Sequence, residues 1–136
     1  MNRILGLDYG ERRIGVAISD PLGIIASPFL VIDRKITPDY LSELKHIIQI
    51  KDVNKLIVGL PLNLKGEDTK QTEKVKNFIT ELSLELELPV NTVDERLSSV
   101  SAEKELQKMG VKTGHEKGRV DETAAAIILQ EYLDSK

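Results

Sequence analysis

The chain has 136 residues, 40% of them apolar and 30% charged, with only 4% aromatics and no cysteine. That length supports a single domain over 1–136 with a core of Ile, Leu and Val, and the lack of cysteine excludes disulfides, thiolate metal sites and thiol nucleophiles. The net charge of −3 argues against nucleic-acid binding by bulk charge. With no apolar run near the roughly 18 residues of a membrane span, and no signal-peptide pattern, a cytoplasmic protein is expected.

Residues 3–9 and 13–19 are apolar and β-branched, and the Gly10-Glu11-Arg12 turn between them predicts a hairpin. Ile24 to Ile32 predicts a third strand, in which Pro28 marks an edge position or a bulge. Thr37-Pro38 reads as an N-cap followed by a first helical residue, and Leu41, Leu44, Ile47 and Ile48 continue at helical spacing. Lys55 to Leu60 is a short apolar run suited to a strand covered on both faces. Val75, Phe78, Ile79, Leu82 and Leu86 mark one face of a second helix, which Pro89 ends, and Val90 to Asp94 predicts a fifth strand. A short helix near Val100 to Met109 is expected to stop at Gly110. A polar loop over 111–119 precedes a last helix from about Val120 to Leu133. Three hairpin-linked strands followed by alternating helices and strands predict an α/β fold. Its mixed five-stranded sheet has helices on both faces, and strands four and five run parallel to strand one.

Three carboxylates stand in unusual places. Asp8 shares a strand face with Ile4 and Gly6 and costs desolvation there unless something satisfies it; a side chain bonded to the Gly10 turn is the alternative reading. Asp94 and Glu95 end strand five at the edge where parallel sheets bind ligands, and only one of them can face Asp8; alternatively both simply open a helix. Asp121 continues the stripe of Ala125, Ile128, Leu129 and Tyr132 at its N-terminal end, or else caps the helix. Three converging acids call for a divalent cation, and hard oxygen ligands without cysteine point to Mg²⁺ or Mn²⁺. Two such ions about 4 Å apart can activate a water and stabilise the leaving oxygen of a phosphodiester.

Basic residues cluster in the connections despite the net acidity. Arg12 and Arg13 follow Asp8 closely, Arg96 follows Glu95, and Lys117 and Arg119 precede Asp121, so all five are candidates for backbone phosphates. Lys117 suits a scissile phosphate best. His115 in the same loop reads as exposed, and His46 as structural or exposed.

Four segments in order, GLDYGERRIGVAISD, VGLPLNLKG, DERLSS and KGRVDETAAAIILQEYL, resemble the YqgF/RuvX family over nearly the whole chain. The resemblance implies an RNase H-like fold, similar to that of the RuvC resolvases. It also implies a metal-dependent nuclease, described for the family either as a Holliday-junction resolvase or as maturing the 5′ end of pre-16S ribosomal RNA. Asp8, Glu95 and Asp121 take the family's acidic positions, which favours Glu95 over Asp94. Ser98-Ser99 stands where many members carry Thr, and a hydroxyl is retained. The implied partner is structured RNA or branched DNA, and a junction substrate would favour a homodimer. Two competing classes are an actin- or sugar-kinase-like phosphotransferase, which needs more chain, and a non-catalytic nucleic-acid-binding module, which would have no use for the acids.

Overall fold

Two β-branched segments form the N-terminal hairpin in a computed structural model that describes residues 2–97 and 117–136, with the side chains at 97 and 117–122 outside the description. Strands β1 (Arg3–Asp8) and β2 (Arg13–Ser19) pair antiparallel and place Asp8 opposite Gly15. Strand β3 (Ala26–Asp33) follows on the outer edge, with a register shift beside Pro28. The edge and the bulge both suit a residue that has no N–H to donate. The strand begins two residues later than its apolar run, because Asp20 holds Ile24 and Ile25. Its carboxylate accepts both of their N–H groups at 2.8 Å and closes the connection as a loop.

Helix α1 (Tyr40–Lys51) starts two residues beyond the expected position. Asp39, not Thr37, is the N-cap, because its carboxylate reaches the Ser42 N–H at 3.2 Å and the Ser42 hydroxyl at 2.7 Å. Thr37 closes a turn instead, donating its N–H to the Asp33 carbonyl at 2.7 Å. After β4 (Val53–Leu60), helix α2 (Lys70–Leu86) opens on a reciprocal pair between Thr69 and Thr72. The buried Thr72 hydroxyl also donates to the Pro61 carbonyl and fixes the helix start to the end of β4. Strand β5 (Val90–Asp94) leads into a 3-10 turn (Glu95–Leu97). The C-terminal helix α3 (Lys117–Asp134) begins earlier than expected, so the backbone at 117 and 119 is helical and not loop. The expected helix at 100–109, its Gly110 cap and residues 111–116, His115 included, lie outside the described residues.

The strand order is β3-β2-β1-β4-β5, with β4 parallel to β1 and β5 parallel to β4, as the alternation of elements predicts. On one face Leu5, Leu7, Val16, Leu56 and Val58 pack against Leu44, Ile47, Val75, Phe78 and Leu82 of α1 and α2. On the other face Ile4, Ala17 and Ile57 pack against Ala124, Ala125, Ile128 and Leu129 of α3. Each fully buried Leu or Ile stabilises by about 1.5–3 kcal/mol, so these two layers hold the fold together.

Helix α3 lies unusually close to the sheet. A Cβ on Gly6 would meet the Leu129 Cβ at 2.7 Å and the Ala125 carbonyl at 2.9 Å. At its far end Gln130 accepts the Ala26 N–H at 2.9 Å, and the Tyr132 hydroxyl accepts from the Lys55 ammonium at 2.9 Å. Those partners begin β3 and β4, so α3 runs antiparallel to β1 and β4, with its first turn at their carboxyl ends. Gly6→Ala is expected to destabilise the protein by about 1–3 kcal/mol through overpacking. Urea unfolding measures this, and an unchanged midpoint would show that α3 lifts at no cost.

Candidate active site

Asp8 and Glu95 are both buried, at 5% and 4% exposure, among few buried polar side chains. Strand alternation from Ile4 and Gly6 puts Asp8 on the α3 face. The pairing of Leu7 with Val58, continued one step, sets it beside Gly59. Glu95 reaches the same spot from the other side: a Cβ on Gly59 would meet the Glu95 carboxyl carbon at 3.2 Å and the Ile128 Cδ1 at 2.5 Å. Gly59 therefore leaves the space into which the Glu95 carboxyl and Ile128 descend. Asp8 has glycine as its neighbour on both adjoining strands, Gly15 on β2 and Gly59 on β4. Between the adjacent acids, Glu95 is the one that turns under α3.

Asp94 turns to Arg96. The Asp94 carboxylate accepts from the Arg96 Nε at 3.2 and 3.0 Å and from Nη2 at 2.7 Å, and this guanidinium holds Asp94 below the usual carboxylate range. Arg96 also donates through Nη1 to the Leu64 carbonyl at 3.3 Å and lies against Gly66, which has a φ of 82°. In this structure Arg96 ties the loop after β4 to the end of β5. Arg12 is likewise engaged, donating from Nε and Nη2 to the two Asp33 oxygens at 3.1 and 3.3 Å. Arg13 begins β2 beyond the Asp8–Gly15 pair, half-buried at the same edge of the sheet. Lys117, Arg119 and Asp121 lie in the first turns of α3, with position 121 one turn before Ala125, and their side chains are outside the description.

The donor set fits a hard cation. Buried carboxylates are stabilised by nearby positive charge, and oxygen ligands of this kind suit Mg²⁺ or Mn²⁺. Among the described residues no third carboxylate or histidine joins the pair. A third ligand would come from the segment that carries Asp121.

Sequence reasoning did not anticipate a second feature at this edge, on the opposite face. Tyr9, next to Asp8, stacks at a tilt on Phe78 with ring centroids 4.6 Å apart, and Tyr40 lies 5.9 Å from the same ring. The Arg34 guanidinium sits over both tyrosines at 5.2 and 5.0 Å and donates to the Tyr9 hydroxyl at 2.9 Å. The Tyr40 hydroxyl is bonded to Glu81; burial first, then this carboxylate, pushes its pKa up to about 12. Tyr9, Tyr40, Phe78 and Glu81 line a groove of about 240 Å³ together with Lys74 and Asn77. The α2 positions 74, 77, 78 and 81 are spaced as one helical stripe, a signal that the apolar residues of the helix overshadow.

The Arg12–Asp33 pair gives a pH-dependent expectation. The Arg12 guanidinium is the main cause holding Asp33 below its ordinary 3.8, aided by the Lys35 N–H. A depressed carboxylate contributes stability above its unfolded pKa and loses it as pH falls through the lower folded value. Arg12→Gln should therefore return the Asp33 titration toward 3.8, read by carboxyl carbon NMR. An unchanged titration would show that the backbone alone sets it.

Among the described residues no helix is long and apolar enough to cross a membrane. The solved structure of Thermus thermophilus RuvC in complex with a Holliday junction substrate superposes with a TM-score of 0.59 at 10% identity, covering 99% of this chain and 95% of that one. That likeness establishes the RNase H-like fold. Two relatives named "Putative pre-16S rRNA nuclease" match over nearly their whole lengths. The protein from Halothermothrix orenii is 47% identical over 97% of this chain and 94% of its own, and that from Desulforamulus reducens is 46% identical over 98% and 97%. The family model described as "RuvX: Holliday junction resolvase" matches residues 2–135, and this chain belongs to that family.

Proposed function

We propose that this chain, acting as one nuclease domain in the cytoplasm, is a divalent-cation-dependent endonuclease that processes the 5′ end of pre-16S ribosomal RNA. The observation that carries it is the convergence of buried Asp8 and Glu95 on Gly59 at the edge where α3 begins. The names of relatives at 46–47% identity support the substrate.

Asp8, Glu95 and Asp121 would hold Mg²⁺ or Mn²⁺, two ions in all. When bound, the ions supply a nucleophile at neutral pH and neutralise charge on the leaving oxygen. The rest is the chain's own contribution. Gly59 and Ile128 fix where the Glu95 carboxyl sits, and α3 shields the pair from bulk water. Arg13 and Arg12 at the mouth orient the phosphate backbone, Arg12 by exchanging Asp33 for phosphate. Lys117 and Arg119 in the first turn of α3 add phosphate contacts, Lys117 at the scissile group. Arg96 acts through the loop it ties down, with phosphate as a second partner. The family description favours a second reading, cleavage of a four-way DNA junction, which would need two sites and hence a homodimer.

Wild type and Asp8→Asn, compared on rRNA precursor, four-way junction and simple duplex with Mg²⁺ or Mn²⁺, test this. Wild type should cleave the precursor, and Asp8→Asn should lose about a thousandfold or more, roughly 4 kcal/mol of transition-state stabilisation. Mg²⁺ should raise the melting temperature of wild type and leave that of Asp8→Asn unmoved. Equal cleavage by both proteins would place the chemistry elsewhere, and preferential junction cleavage would select the second reading.

A further inference from the structure

The groove lined by Tyr9, Tyr40, Lys74, Asn77, Phe78 and Glu81 lies outside the carboxylate site, yet it starts from the same edge. Tyr9 is the residue after Asp8 and packs with the core on the opposite face of the sheet. Helix α2 descends from that edge, since Thr72 in its first turn is bonded to Pro61 just after β4, and Leu86 at its end precedes β5. Lys74 therefore stands at the rim, paired with Glu11 of the β1–β2 turn, and Glu81 about two turns deeper. The buried ring of Phe78 forms the floor and the two tyrosines form a wall. Arg34 lies over both tyrosines without lining the groove, so it backs that wall from outside.

This chemistry suits a planar, polar aromatic ligand attached to an anion. Aromatic walls bind any nucleobase through its π-face, and the Asn77 amide offers both a donor and an acceptor to a base edge. Lys74 at the rim can exchange its Glu11 partner for a phosphate, while Glu81 repels a phosphate from the inner end and so keeps it at the mouth. A volume of about 240 Å³ accommodates one base and excludes a duplex. A base can enter only if it is unpaired, as in the loops, bulges and ends of a folded RNA.

We propose that this groove is a nucleobase subsite, which takes one unpaired base of the substrate with its phosphate at Lys74 while the neighbouring backbone passes over the edge to Asp8 and Glu95. The subsite rests on the nuclease reading above and adds to it a requirement for an extruded base beside the cut. It selects substrates by local unpairing and not by sequence.

The test is equilibrium binding without cleavage, in EDTA, of a short single-stranded RNA and of an all-abasic chain of the same length and charge. Wild type should prefer the RNA by about tenfold, the scale of one stacked base. Asn77→Trp, an exposed position at which indole would fill the groove, should lose most of that preference. Asn77→Ser, which leaves the groove open, should keep it. Matching circular dichroism spectra would confirm that the variants fold. A preference that survives in Asn77→Trp, or equal binding of both ligands by wild type, overturns the subsite and leaves the nuclease intact. A wild type that binds neither RNA nor DNA, even with Mg²⁺, sinks the nuclease reading itself.

Discussion

The contact between α3 and the strands beneath it leaves no room for a side chain at Gly6 or Gly59, and the geometry of the carboxylate edge follows from that closeness. Ala125 and Leu129 rest on Gly6, and Ile128 rests on Gly59 beside the Glu95 carboxyl. A helix lying this low delivers its first turn, and with it position 121, to the ends of β1 and β4. Its Ile128 meets the Glu95 carboxyl over Gly59, at the edge where both acids are buried. A bulkier residue at either glycine would lift the helix and open the pair to water.

Burial makes the two carboxylates expensive, and several cations around this edge are committed to other acids. Arg12 is held by Asp33, Arg96 by Asp94, and Lys74 by Glu11. These pairs add little stability, but they orient the side chains that make them. A bound divalent cation would complement the site better than a guanidinium: it is compact, and it accepts several oxygens at once. The same pairs can exchange a carboxylate for a phosphate when nucleic acid arrives, at little net electrostatic cost.

Much of this was legible in the sequence, because periodicity reports burial. The strand faces of β1, the parallel β4 and β5, and the α3 stripe all follow from which residues must avoid water. The misplaced starts of β3 and α1 share a local cause, a short polar side chain competing for the backbone. Asp39 took the cap that Thr37 was expected to supply, and Asp20 claimed the N–H groups of Ile24 and Ile25. The ion partners were hidden for a different reason: Asp33 lies 21 positions from Arg12 and meets it only through the β2–β3 register. The aromatic groove was equally hidden, since Tyr9, Tyr40 and Phe78 come from three elements. By contrast Gly59 is legible, as a glycine within an apolar strand run at this edge marks a close approach.

The central claim is that Asp8, Glu95 and the α3 segment carrying Asp121 form one cation site. Paramagnetic broadening of the amide NMR spectrum by substoichiometric Mn²⁺ tests it most directly, because it requires no substrate. The predicted result is selective loss of signals around residues 8, 59, 95 and 121, with the Asp20 loop at the opposite edge untouched. Broadening scattered over the acidic surface of α2, or absent from residues 8 and 95, would contradict it.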